Sequence, residues 1–197
     1  MKKNYIKSGV GALFLTLMLT AAPSAWAYDS AIKVGVGSFL LDYKETGQSV
    51  RGRTGGLHIG YVGRFNDYLG FEVRFGGAAS SSTGTLKIEP STYLSLLFRP
   101  SFPLAEEVEI YGLLGLTSMA VTRTSGATAQ QTIARGGSSF GVGADYRITK
   151  HMAAGIEWVS YMRNVDYGYD ANNSNWSNVP WAKVSFSGAT ANFKYQF

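Results

Sequence analysis

Few side chains in this 197-residue sequence are suited to covalent or metal chemistry. It contains no cysteine, which excludes a disulfide framework, thiolate metal sites and a cysteine nucleophile. His58 and His151 are its two histidines. A hydrolytic base must sit beside its nucleophile, yet His58-Ile59-Gly60 and His151-Met152-Ala153 bring no neighbouring serine. His58 therefore reads as a packed interior residue. Asp166 and Asp170 are two carboxylates without the further oxygen ligands that a cation requires. Gly35-Val36-Gly37 and Gly141-Val142-Gly143 lie inside alternating segments and lack the rest of a phosphate-loop spacing. No catalytic, cofactor-binding or metal site is expected, and the chain is not expected to be an enzyme.

The elements that must position the remaining charges begin after an address segment. Lys2, Lys3 and Lys7 precede an apolar stretch from Val10 to Leu19, and Pro23 leads into Ala25-Trp26-Ala27. This order predicts a cleavable secretory signal peptide over 1–27, cut at the A-x-A site formed by Ala25 and Ala27. One domain over 28–197 follows. Three of the 18 Lys and Arg residues belong to the leader, so fifteen face 13 acidic residues afterwards. With that balance, and no basic run interleaved with aromatics, nucleic acid is not an expected partner.

Beyond the leader, the hydrophobic period is two nearly throughout. Phe71, Val73 and Phe75 alternate with Glu72, Arg74 and Gly76; Leu94, Leu96 and Phe98 with Tyr93, Ser95 and Arg99. Phe140, Val142, Ala144 and Tyr146 alternate with Gly141, Gly143, Asp145 and Arg147, and Phe193, Tyr195 and Phe197 with Asn192, Lys194 and Gln196. Ile156 and Trp158 flank Glu157, weaker alternation runs through 32–42 and 56–65, and 109–118 is apolar or glycine on both faces. These segments predict eight strands of about 9–11 residues each, the length that a tilted strand needs to cross a bilayer. Small and charged residues fill one face, and apolar residues with aromatics near strand ends fill the other. That sign suits a narrow barrel with a polar lumen and a lipid-facing exterior. The expected fold is all-β: an eight-stranded antiparallel up-and-down transmembrane β-barrel. Short turns at 66–68, 101–107 and 149–151 alternate with long connections over 43–53, 79–89, 121–134 and 164–184. This asymmetry places the long loops outside the cell and both mature termini in the periplasm.

The segment Val108-Glu109-Ile110-Tyr111-Gly112-Leu113-Leu114-Gly115 carries a YGxxG strand pattern. Gly141-Val142-Gly143-Ala144-Asp145-Tyr146-Arg147-Ile148 forms one arm of a hairpin, and Phe193-Lys194-Tyr195-Gln196-Phe197 ends the chain. In these motifs, in this order, the sequence resembles the small eight-stranded outer-membrane β-barrels of the OmpA/OmpX/Ail type. The resemblance implies location in the cell outer membrane, in contact with lipid and lipopolysaccharide. It also implies recognition of the terminal Phe197 strand by the barrel-assembly machinery. Some small barrels modify lipid A through a histidine, a serine and an acidic residue, but neither histidine here has that setting.

Charges in a narrow lumen must pair. Arg64, Glu72, Arg74, Arg99, Asp145, Arg147, Glu157 and Lys194, with Lys33, Glu109 and Arg163 on the same face, are expected to form a structural ion-pair plug without porin activity. The longest loop, 164–184, sets Tyr167, Tyr169, Trp176 and Trp181 among Asn, Asp and Ser, a mix suited to protein recognition. Arg51, Arg53, Arg123 and Arg135 in other loops are candidates for binding lipopolysaccharide phosphates or an anionic polymer. The expected function is a non-porin surface protein whose loops bind an external partner such as host matrix, a host cell or a serum factor. The alternatives are a purely structural barrel supporting the envelope and a lipid A-modifying enzyme.

Overall fold

The computed structural model describes residues 29–45, 47–84, 86–125, 131–167 and 182–197. The leader with Ala25 and Ala27, and the loop residues Tyr169, Asp170, Trp176 and Trp181, lie outside the described residues. The strands are β1 (Asp29–Glu45), β2 (Gln48–Arg64), β3 (Leu69–Ala78), β4 (Ser81–Thr83), β5 (Leu86–Pro103), β6 (Val108–Ser125), β7 (Gln131–Arg147), β8 (Met152–Asp166) and β9 (Ala182–Gln196). Every pairing is antiparallel, in the order β3-β2-β1-β9-β8-β7-β6-β5-β4. Pairing of β3 with β5, from Leu69 opposite Pro100 to Gly76 opposite Tyr93, closes the sheet. The short β4 continues the stave begun by β3, so nine segments make eight staves, and closure leaves no open edge.

The turns at the end where β1 begins and β9 finishes are built from local side chains. Asn66 Oδ1 accepts hydrogen bonds from the Tyr68 and Leu69 amides, both at 2.9 Å. Thr149 Oγ1 does the same for the amides of His151 at 3.3 Å and Met152 at 3.1 Å. Short polar side chains that bond the backbone two or three residues on favour turns over continued strand. At the opposite end Gly47 has φ 79°, a conformation open to glycine, and lies in the two-residue connection between β1 and β2.

Seven of the strands run to 15–18 residues in place of the expected 9–11, and β1 to β2 is a tight hairpin. Most of the expected long loops are therefore strand: 43–53 lies in β1 and β2, 79–89 contains β4 and the start of β5, and 121–134 holds the ends of β6 and β7. On β1 the outward Ile32, Val34 and Val36 are exposed while Lys33 between them is buried. Further along, Phe39, Leu41 and Tyr43 are buried, and Lys44 is exposed. β6 repeats the change: Leu114 and Leu116 are exposed with Thr117 buried, then Met119 and Val121 are buried with Ser118 exposed. β9 does so as well, between Phe193 and Tyr195 outside and Val184 and Phe186 inside.

The sign of the alternation thus reverses partway up the barrel. A surface facing lipid is apolar outside, whereas a barrel wall facing water buries its apolar set inside. Glu45 lies nine residues past Val36, or about 23 Å along the barrel axis at a 40° tilt. The barrel stands well clear of its apolar belt on that side.

Candidate functional site

Three layers of side chains occupy the lumen among the described residues. At the end where β1 begins and β9 finishes, Arg64 is paired with Glu109. Arg99 donates to Glu109 and to Asp145, each at 2.9 Å, and Lys194 donates to Asp145 at 2.7 Å. The Arg99 guanidinium also stacks 3.7 Å from the centre of the Tyr111 ring. A cavity of about 280 Å³ opens beside Arg64, Glu109, Asp145 and Lys194.

The second layer is a neutral quartet with no solvent contact. Lys33 Nζ donates to Glu72 at 2.7 Å and to Glu157 at 3.0 Å. Arg74 reaches both carboxylates, at 2.6 Å each. Glu157 also accepts from Tyr111 at 3.1 Å and Thr190 at 3.2 Å, and Arg74 donates to the Tyr161 hydroxyl at 2.7 Å. β1 and β8 each supply one member and β3 supplies two, with Thr190 of β9 as a further donor, because inward positions at one height meet across a narrow lumen. Charges withdrawn from water need this multiplicity of partners to persist.

Above the quartet the third layer is aromatic. Phe39 stacks on Phe186 at 5.4 Å with 10° between ring planes, and Tyr93 approaches Tyr161 to 4.7 Å. Leu41, Val50, Leu86, Ile88, Met119, Val121 and Val184 continue the core upward. A salt bridge closes the mouth: Arg123 of β6 donates twice to Glu45 of β1, at 2.8 Å each, and Tyr43 donates to the same carboxylate at 2.7 Å. The two bonds from Arg123 hold the Glu45 carboxyl below the usual carboxylate range. Burial followed by the Glu45 hydrogen bond pushes the Tyr43 hydroxyl up.

The residues anticipated for the plug are distributed as follows. Arg64, Glu72, Arg74, Arg99, Asp145, Glu157 and Lys194, with Lys33 and Glu109, meet in the two charged layers. Arg147 is exposed at the end of β7, beyond the last lumen layer, and is corrected to a rim residue. Arg163 is also corrected. Register shifts between Ser160 and Met162 and between Met162 and Val165 turn both Tyr161 and Met162 inward and leave Arg163 exposed. Asn164 in that irregularity has φ 51°, a left-handed conformation that Asn tolerates better than most residues.

His58 is fully buried in the lumen, with Nε2 3.9 Å from Glu157 Oε1, and is walled off from the lipid face. His151 lies at the turn beside the C-terminal strand, its Nδ1 3.1 Å from the Gln196 carbonyl. Among the described residues no three His, Asp or Glu side chains are placed to hold a metal ion.

The loop candidates separate as well. Tyr167 is buried in the mouth and donates to the Met119 carbonyl at 2.9 Å, so its ring belongs to the barrel and not to a loop tip. Arg123 is engaged by Glu45, and Arg135 is half-buried on β7 and partnered. Arg51 and Arg53 are exposed on β2. Sequence reasoning missed the aromatic layer and the Glu45–Arg123 closure. The signal was the inverted alternation of Phe39, Leu41 and Tyr43 against Ser38, Asp42 and Lys44.

Comparison with known proteins agrees with this architecture. Among solved structures, the Neisserial surface protein A is 14% identical with a TM-score of 0.57, covering 85% of this chain and 99% of that one. OprG of Pseudomonas aeruginosa is 15% identical with a TM-score of 0.57, covering 87% and 97%. Ail, the attachment invasion locus protein of Yersinia pestis, is 18% identical with a TM-score of 0.49, covering 86% and 99%. At these identities the likeness concerns the fold. Among curated protein sequences none matches this chain. Residues 12–197 match the family model described as the outer membrane protein beta-barrel domain. The chain belongs to that family, and it is an outer-membrane β-barrel protein.

Proposed function

We propose that this protein is a plugged surface barrel, neither porin nor enzyme, whose membrane-distal end binds an external partner such as host matrix, a host cell or a serum factor. The observation that carries the reading is a barrel wall continuing about 23 Å past its apolar belt over a filled lumen. A continuous charged and aromatic filling leaves no path for solutes, and a rigid extension raises the hairpin ends clear of the lipid. In this reading residues 1–27 are removed after Ala27, both mature termini face the periplasm, and the Phe197 strand is read by the assembly machinery. Tyr169, Trp176 and Trp181 are the recognition candidates. Tyr167 anchors the segment that carries them. The setting of His58, sealed inside the lumen, supports a non-enzymatic role, because acyl transfer to a lipid requires a base at the lipid-exposed rim.

The test replaces residues 169–181 with a Gly/Ser linker, keeping Tyr167 and β9 intact. Binding to matrix proteins, complement regulators and epithelial cells is compared between strains with equal surface display. Loss of binding with the linker supports recognition. If neither strain binds, the structural reading takes its place, and an altered lipid A mass in the expressing strain would establish the enzymatic one.

A further inference from the structure

We infer that the cavity at the end where β1 begins and β9 finishes binds a small free zwitterion of the dipeptide class, with its carboxylate at the floor and its ammonium at the rim. The cavity is about 280 Å³, slightly below the roughly 300–1,000 Å³ of ligand pockets, so its ligand is small. Its charges are sorted by depth. At the floor Arg64, Glu109, Arg99, Asp145 and Lys194 form one continuous chain of ion pairs. Three cations there meet two carboxylates, whereas the quartet above is balanced. Asp29, a neighbouring carboxylate, accepts from Gln196 and does not line the cavity. At the rim the balance has the opposite sign: Asp67, Glu106 and Glu107, all exposed, stand with Arg147 as the cation beside them.

Arg99 gives independent evidence of a ligand at the floor. It is 1% exposed, and its Nε and Nη1 have no hydrogen-bond partner among the described residues. Buried donors without acceptors are costly. The same guanidinium bonds Glu109 and Asp145, and both of those carboxylates line the cavity. A carboxylate brought to this floor supplies the missing acceptors and the missing negative charge together.

The rim is preset to receive the other end. The turn carrying Glu106 and Glu107 is closed by the Leu104 and Ala105 amides, which donate to the Val108 carbonyl at 2.8 and 3.2 Å. The Arg147 amide donates to the Glu107 carbonyl at 2.7 Å, and Asp67 lies in the turn that Asn66 locks. Charges fixed in advance lose little freedom on binding. Glu107 lies two residues beyond Glu109, about 5 Å along the axis at a 40° tilt. The charged ends of an extended dipeptide are about 7 Å apart, against about 3.5 Å in a single amino acid. The dipeptide therefore spans floor and rim.

The test uses the purified barrel in an uncharged detergent at low salt, with binding read by isothermal titration calorimetry. The probes are glycylglycine, N-acetyl-glycylglycine, which lacks the ammonium, and glycylglycinamide, which lacks the carboxylate. Glycylglycine is expected to bind, the amide about tenfold more weakly or worse, and the acetylated form about threefold more weakly or worse. Glu106→Gln/Glu107→Gln changes two exposed side chains and should remove the difference between glycylglycine and its acetylated form, leaving the amide weakest. Arg64→Gln should weaken glycylglycine and the acetylated form together, and Arg64→Lys should restore most of the loss. Glu89→Gln, an exposed carboxylate on β5 towards the opposite end, should match wild type. Equal binding of the three probes, or no glycylglycine binding at millimolar concentration, overturns the site. A glycylglycine affinity unchanged in the double rim variant also overturns it. The cavity and the loop candidates lie at opposite ends of the barrel, so the outcome is independent of the recognition proposed above.

Discussion

Lys33→Met tests whether the quartet acts as an electrostatic unit. Methionine nearly matches the lysine stem in length but removes the charge that bonds Glu72 at 2.7 Å and Glu157 at 3.0 Å. Lys33, Glu72 and Arg74 have no exposed surface and Glu157 almost none, so water cannot replace the lost partner. Two cations and two anions become one and two. Removing one member of a buried, hydrogen-bonded ion group costs about 3–5 kcal/mol, mostly from the charge left uncompensated. Against the roughly 5–15 kcal/mol by which folded proteins are typically stable, that is a large loss. Glu72→Gln made alone leaves an excess cation and should also destabilise. Lys33→Met/Glu72→Gln restores neutrality while Arg74 still serves Glu157, and should lie closer to wild type than the sum of the single changes. The expected coupling is about 1–3 kcal/mol. Unfolding by urea in lipid vesicles, followed by tryptophan fluorescence, measures all four proteins with the same linear extrapolation. A cost below about 1 kcal/mol for Lys33→Met, or simple additivity in the double variant, refutes the reasoning.

Other perturbations probe different layers. Phe39→Ala removes a ring stacked against both Phe186 and Tyr161 and should cost about 3–5 kcal/mol in the same assay. The reversal of alternation predicts that Leu114→Arg, on the lipid face, costs about 2–4 kcal/mol, whereas Thr122→Arg, eight residues on and outside the belt, costs roughly 0–1. Two equal costs would contradict the assigned boundary. For the mouth, the folded Glu45 carboxyl is held below its unfolded value of about 4.3 by Arg123. Its stabilising contribution is complete above that pH and is lost as pH falls through the lower folded value. The difference in urea midpoint between wild type and Glu45→Gln should therefore shrink steadily below about pH 4; a difference independent of pH would show that the pair does not stabilise the mouth.

Sequence periodicity alone determined that this is an all-β chain whose Lys, Arg, Asp and Glu residues in the belt segments share the inner face. Period-two patterning is a local property, so Glu72 beside Val73 or Lys194 beside Tyr195 declares which way each side chain points. It also marked the tight turns, since Asn66 and Thr149 bond backbone groups within three residues.

Other features were decided only by the closed barrel. Lys33 and Glu157 are 124 residues apart and meet because β1 and β8 reach the same height around a common axis. No spacing rule encodes that register. The extension past the belt was read as loops because its alternation has the opposite sign, and the sign depends on what lies outside the wall. Where lipid surrounds the barrel, apolar residues face out and charges turn in to pair. Where water surrounds it, Phe39, Leu41 and Val184 turn in and Ser, Thr and Lys face out. A strand records its two faces, and only the tertiary structure places one of them against lipid or water at each height.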